Sequence, residues 1–265
     1  MKKETAKFAD SNLFEGMPSI SALIHGIEVG QNDRKILRVF LEKDRFEEVS
    51  NHYKRTPRSA QLHFLQNRSQ ELNFTIEMLS KEEIDGLAIG NTHGGILAEC
   101  TDRHLPALSS DNILSSGVYF ILDGVEDPYN FGYAVRSLYA AGVDGLILGN
   151  RNWMGAAGVV ARSSAGASEL MPMFTCEAME AIPMFRQKGY SVVCAGIRDS
   201  ESLFDADLSK PVLVILGGEK RGISRNVLEL SDRVVRIDYG SEFGGSLSTS
   251  AAAAVFAFEI LRRNR

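Results

Sequence analysis

Apolar and polar positions follow two different textures along this chain. From residue 118 onward, short unbroken apolar runs recur: VYFILDG (118–124), GLILGN (145–150), YSVVCAG (190–196), PVLVILGG (211–218) and RVVRIDYG (233–240). Runs of this length without polar interruption predict strands buried on both faces of a parallel sheet. Between them lie stretches with helical spacing: 128–142, 155–166, 177–188, and a last helix from about Ser246 to the C-terminus. Asp127 followed by Pro128 predicts the start of the first helix, and Gly142 its end. Strands and helices alternating in this way predict an α/β fold with a mainly parallel sheet.

Residues 1–105 mix charged and apolar positions more finely. ISALIHGIEVG (20–30) has helical spacing and KILRVFLE (35–42) reads as a strand. DRFEEVSNHYKR (44–55) reads as a helix, and FTIEMLSKEEIDGLA (74–88) as a strand followed by a helix. PALSSDNILSSG (106–117) is rich in Ser, with Pro and Gly at its ends, and predicts a linker. The expected division is therefore a smaller N-terminal α/β domain over 1–105, a linker over 106–117, and a C-terminal domain over 118–265.

Composition narrows the class. With 265 residues, 44% of them hydrophobic, the chain fits a soluble protein of one or two domains with a large core. Its net charge of −5 argues against indiscriminate nucleic-acid binding but allows a local basic patch. Cys100, Cys176 and Cys194 are far apart and form no CxxC pair. That disfavours a disulfide framework or a metal site and fits a reducing compartment. The opening MKKETAKFADSNLFEG has no apolar core behind its lysines, so no signal peptide is expected. The run 251–261 is too short to span a bilayer and contains Glu259. A cytoplasmic protein with no membrane association is expected.

Ligands of parallel sheets bind beyond the carboxyl ends of the strands. Three stretches stand out there: LDGVEDPYNFGYAVRS (122–137), LGGEKRGIS (216–224) and GGSLSTSAAAAVFAFE (244–259). Each has an ordinary reading when taken alone. Arg136 within an apolar helix is most simply an exposed residue whose stem covers the core. The glycines around Glu219 make a tight turn beside a solvated charge cluster. The small residues of the third stretch suit a close helix–helix contact. No GxGxxG follows a strand, and neither a GxxxxGK[ST] loop nor a GxSxG elbow occurs. A nicotinamide site, an ATP site and an elbow-type hydrolase are thus unsupported.

In this order the three stretches resemble the motifs of the SpoU (TrmH) family, in the SPOUT class of RNA methyltransferases. The carriers are DPYNFGYAVR (127–136), the strand followed by GGEKRGIS, and SLSTSAAAAVFAFE, which together span 118–265. GMPSISALIHG (16–26) and THGGILAE (92–99) are similar to the two ends of the small RNA substrate-binding domain that many members carry; where members often read HQG, this chain has His93-Gly94-Gly95. The resemblance implies a SPOUT fold whose C-terminal segment forms a deep trefoil knot. It implies a homodimer, S-adenosylmethionine as methyl donor, and methylation of a ribose 2′-hydroxyl in RNA, with ribosomal RNA favoured over transfer RNA.

By the same resemblance Ala195, Gly196, Leu216, Gly217, Ile237 and Leu247 hold the donor, largely through the main chain. Arg136 stands at the target ribose, with Asn130, Glu219 and Ser246 in support. Small residues at 244–254 let the last helix pass close to the strand-end loops. The resemblance departs at Ser248, where the family motif has Asn. That departure motivates an alternative: a SPOUT-fold RNA-binding dimer with weak or no catalysis. The basic excess over 34–58 makes Arg34, Lys35, Arg38, Lys54, Arg55 and Arg58 candidate RNA contacts.

Overall fold

Elements are described from a computed structural model covering residues 12–50, 56–125, 127–149, 153–218 and 221–265, without the side chains of 48–50. Strand β1 (Leu13–Glu15) leads directly into helix α1 (Gly16–Glu28). There follow β2 (Ile36–Glu42), α2 (Lys43–Ser50), α3 (Pro57–Leu72), β3 (Thr75–Leu79), α4 (Lys81–Leu87) and β4 (Ile96–Cys100). The four strands form one sheet in the order β1-β4-β2-β3. β4 runs antiparallel to both its neighbours, and β2 pairs parallel with β3. Phe14, Leu23, Val39, Leu41, Phe46 and Leu65 are fully buried at the centre of this unit.

Helix α3 has no counterpart in the sequence reading. Its buried residues are only Ser59, Leu62 and Leu65, too few for a clear apolar stripe. The signal lay in its first turn: the Thr56 side chain accepts from Ser59 N–H, Ser59 reciprocates, and Pro57 starts the helix.

The second unit begins with β5 (Val118–Asp123), α5 (Pro128–Ala140) and β6 (Gly145–Leu148). Residues 154–170, with short helices α6 (Ala157–Ser163) and α7 (Ala167–Leu170), belong instead to the first compact unit. The second unit resumes with β7 (Met173–Thr175), α8 (Ala178–Gln187), β8 (Ser191–Ala195), β9 (Glu201–Ser202) and β10 (Val212–Gly217). It ends with α9 (Arg225–Glu229), β11 (Arg233–Arg236) and α10 (Thr249–Arg263). Its seven strands are ordered β7-β6-β5-β10-β8-β11-β9, and every pairing is parallel. The observed class is α/β with a parallel sheet.

The units differ from the expected division in two places. The first is 154–170, which shares a core with residues 12–104. The physical reason is a buried polar network. Arg34, 2% exposed, donates through Nε to Glu169 Oε2 at 3.0 Å and through Nη1 to Thr101 O at 2.7 Å. Arg103 Nη1 reaches Ser168 O at 2.5 Å, and Asn32 Nδ2 reaches Glu169 O at 3.1 Å. Glu15, also buried, accepts from the Gly90 N–H and from Arg162 Nη1, the latter at 3.2 Å. A buried carboxylate needs such partners to stay charged.

The second difference is 106–117, which is ordered within the second unit rather than a free linker. Ala107 bridges to Thr175, and Leu108 and Ile113 are buried. Tyr119 Oη donates to Asn112 O at 3.0 Å and Tyr190 Oη to Leu114 O at 2.9 Å. These rings pack edge-on, 5.8 Å apart, in the sheet's core.

Candidate functional site

Because the strands are all parallel, the carboxyl ends of β10, β8 and β11 lie side by side on one edge of the sheet. The turns that leave them close a cavity of about 410 Å³. Ala195 and Gly196 come from the end of β8, Leu216 and Gly217 from β10, Ile237 from beyond β11, and Leu247 from the approach to α10; all six line the cavity. Ser246 lines it as well. On α10, Thr249, Ala252 and Phe256 face it, the spacing of one helix face.

The backbone here approaches itself closely. A Cβ on Gly217 would fall 2.4 Å from Gly222 C, and one on Gly218 would fall 1.9 Å from Gly124 O. Only glycine fits at either position. The turn closes with Gly222 N–H donating to Gly218 O at 3.0 Å, and Gly222 takes φ +60°. Gly196 N–H donates to Val235 O at 3.0 Å, which ties the β8 exit to β11. Thr249 Oγ1 donates to Gly217 O at 3.0 Å, so the start of α10 is anchored on the end of β10. A larger apolar residue at 249 would lose this bond, and Ala253, fully buried, leaves no room for a larger one.

Leu216, Ile223, Val234, Ile237 and Leu247 give the cavity an apolar wall, and Tyr239, Ser246 and Thr249 bring hydroxyls to its lining. Arg198 and Arg236 stand in the lining; Arg236 Nε is held by Asp238 Oδ1 at 2.8 Å. Tyr239, also in the lining, accepts the Leu247 N–H through its Oη at 3.2 Å. The Tyr239 and Phe243 rings lie 5.8 Å apart, and neither had a role in the sequence reading. Burial pushes the Cys194 thiol on β8 up to about 11, so it stays protonated and unreactive. Asp123, at the end of β5, is raised by burial and secondarily by Glu177.

The candidate catalytic residues are not all brought together. Asp127 caps α5 by accepting from Asn130 N–H at 2.8 Å. Phe131, Val135 and Leu138 bury one face of α5. Arg136 points from the opposite, exposed side and is not among the residues lining the cavity. Asn130 Oδ1 accepts from Ser250 Oγ at 3.5 Å, linking α5 to α10. Glu219 lies outside the described residues. Ser248 caps α10, its Oγ accepting from Ala251 N–H at 3.2 Å.

The candidate RNA contacts fare unevenly. Arg34 is corrected: its guanidinium is buried against Glu169 and offers no surface charge. Lys35 and Arg58 are exposed. Arg38 is exposed but paired with Glu99 at 2.5 Å and Glu77 at 3.7 Å, which offsets its charge. Lys54 and Arg55 lie outside the described residues. Among the described residues no cluster of His, Cys, Asp or Glu is arranged to hold a metal, and no helix is long and apolar enough to cross a membrane.

Residues 117–258 match the SpoU rRNA Methylase family. The 23S rRNA (guanosine-2′-O-)-methyltransferase RlmB of Shewanella oneidensis is 32% identical over 197 residues, covering 72% of this chain and 79% of that protein. The RlmB of Blochmanniella floridana is 27% identical over 260 residues, covering 93% of this chain and 96% of that one. The fold is similar to the crystal structure of an AdoMet-bound rRNA methyltransferase from Sinorhizobium meliloti. The TM-score is 0.75 at 19% identity, over 99% of this chain and 94% of that chain.

Proposed function

The chain belongs to the SpoU rRNA Methylase family, and from that premise we propose that it transfers a methyl group from S-adenosylmethionine to a ribose 2′-hydroxyl in RNA. Ribosomal RNA is the proposed substrate class, in keeping with what the RlmB relatives are named for, and the cytoplasm the proposed location. The observation that supports the reading most is the cavity. Six residues that the family resemblance assigns to the donor, from three strand ends and the approach to a helix, share its lining.

The cavity suits this donor on physical grounds. Its volume of about 410 Å³ falls within the range of about 300–1,000 Å³ usual for small-molecule sites. The apolar wall of Leu216, Ile237 and Leu247 suits a flat purine. S-adenosylmethionine supplies a methyl group already activated by positive sulfur. The protein's tasks are then to align the ribose oxygen and to stabilise the charge it develops as its proton passes to solvent.

Alignment alone contributes up to about 7–11 kcal/mol in favourable cases. A guanidinium stays protonated in proteins. Arg136 is therefore assigned to hold the adjacent phosphate and the developing alkoxide, not to accept the proton. Asn130 and Ser246 assist in holding the ribose, and Glu219 in positioning the loop.

Arg136 shares an exposed stripe of α5 with Tyr133 and Tyr139, which are 47% and 41% exposed. Phe258 on α10 is 48% exposed. The homodimer contact is assigned to these helices, because it would bury their exposed aromatic side chains. The C-terminal segment is further proposed to be knotted. Support comes from both ends of α10: Thr249 is bonded to Gly217 O, and Arg263 Nη2 donates to Leu203 O at 2.7 Å on the chain between β8 and β10.

The test is tritiated-methyl transfer from S-adenosylmethionine into unmethylated ribosomal RNA, followed by mapping of the ribose methyl. Arg136→Ala should lower the rate by at least about 100-fold and leave donor affinity by calorimetry unchanged. Full activity in that variant, or a methyl group found on a base, would overturn the assignment. Mixing Arg136→Ala chains with chains whose cavity is blocked should restore part of the activity if the arginine acts across a dimer.

A further inference from the structure

Three side chains join the first turn of α10 to the first turn of α5. Ser248 Oγ accepts from Ala251 N–H at 3.2 Å and lies 2.9 Å from Ser250 Oγ. Ser250 Oγ in turn donates to Asn130 Oδ1 at 3.5 Å. Each hydroxyl has one proton to give, and a carboxamide oxygen can only accept. With the Ser250 proton given to Asn130 Oδ1, the 2.9 Å contact between the serines is a donation from Ser248. The whole chain then has one direction: Ala251 N–H to Ser248, Ser248 to Ser250, Ser250 to Asn130.

Capping α10 requires only Ser248. Ser250 adds nothing to the cap. Its hydroxyl points across to α5, and its neighbours Ser246, Leu247 and Thr249 line the cavity. The relay thus starts among residues adjacent in sequence to the cavity lining and ends on a side chain of the candidate catalytic set.

We infer that Ser250, oriented by Ser248, is a positioning residue that holds the Asn130 carboxamide in one of its two flips, oxygen towards α10 and NH2 turned away from it as a donor. The consequence for catalysis rests on the function proposed above; the orientation itself does not. In this chain two serines and a helix cap supply a directed contact to Asn130.

Single-turnover methyl transfer and the Asn130 side-chain resonance of [15N]asparagine-labelled protein test the inference together. Ser250→Ala should lower the single-turnover rate about three- to tenfold, the range of one hydrogen bond. Donor affinity and the RNA KM should stay within about twofold of wild type by the same reasoning, and the Asn130 amide resonance should shift. Ser250→Thr should restore the rate. Ser248→Asp keeps an acceptor for Ala251 N–H but has no proton for Ser250, so its melting temperature should hold while its rate falls as in Ser250→Ala. Ser248→Asn, which both accepts and donates, should recover most of that loss.

An unchanged Asn130 resonance in Ser250→Ala, or a wild-type rate in Ser248→Asp, would overturn the relay. If the wild-type protein methylates no RNA, the functional reading falls, and the resonance alone decides the relay.

Discussion

Replacing Gly217 by Ala puts a direct load on the proposed donor site. The added Cβ would lie 2.4 Å from Gly222 C, 2.6 Å from Ile223 N and 2.8 Å from Gly222 Cα. All three are main-chain atoms, so no side chain can swing aside. The nearest contact is about 1 Å short of ordinary van der Waals separation, and the main chain at Gly222 and Ile223 must move outward by a comparable amount. Overpacking of this kind costs about 1–3 kcal/mol. The Gly217 carbonyl that receives Thr249 Oγ1 shifts with it, putting a further hydrogen bond worth about 0.5–1.5 kcal/mol at risk. If the displaced turn forms the donor's main-chain cradle, S-adenosylmethionine affinity should fall about 5- to 150-fold, since 1.4 kcal/mol is tenfold. Gly86→Ala, in α4 and outside the cavity lining, is the control, because its added Cβ meets no atom within 4 Å. Calorimetric titration with S-adenosylmethionine, beside circular dichroism to check folding, measures the contrast. Folded Gly217→Ala protein binding the donor as tightly as wild type would refute the cradle.

Three other outcomes are expected. Glu169→Ala leaves Arg34 charged and buried without its partner, so thermal unfolding should show a loss of about 3–5 kcal/mol; the paired exchange Arg34→Met with Glu169→Leu should recover most of it. Glu259 is held at about 2, against 4.5 when unperturbed, by hydrogen bonds from Arg262 and then Arg263. A depressed carboxyl contributes stability that is complete above about pH 4.5 and is lost as the pH falls towards 2. Glu259→Gln should therefore flatten that part of the acid unfolding curve while leaving the shape of the neutral region alone. Thr249→Val removes the donor to Gly217 O and should weaken S-adenosylmethionine binding by about three- to tenfold, measured by calorimetry.

Much of the second unit was legible because parallel strands are buried on both faces and so appear as unbroken apolar runs. Val118–Asp123 and Val212–Gly217 were found this way within a residue or so. Helix α5 announced itself through Asp127 and Pro128. The short edge strands β7 and β9 were missed, since three- and two-residue pairings leave no periodicity to read. Helix α3 was missed because its apolar residues form no single stripe.

The cavity was legible only through the family resemblance. No local rule joins Ala195, Leu216 and Ile237, which are tens of residues apart; a parallel sheet order of β10-β8-β11 makes their strand ends neighbours. Arg34 shows the opposite case. In sequence it belongs to a basic stretch, yet Glu169 draws it into the core from 135 positions away.

The sequence by itself determined the class of fold, the position of most strands and the small residues the last helix requires, because these follow from burial and from backbone clearance at each position. Only the tertiary structure decided that Arg34 is structural, that residues 106–117 and 154–170 pack as they do, and that Arg136 lies exposed and outside the lining of the cavity. Those outcomes depend on which distant charges and surfaces meet, and a chain read in order does not contain that distance.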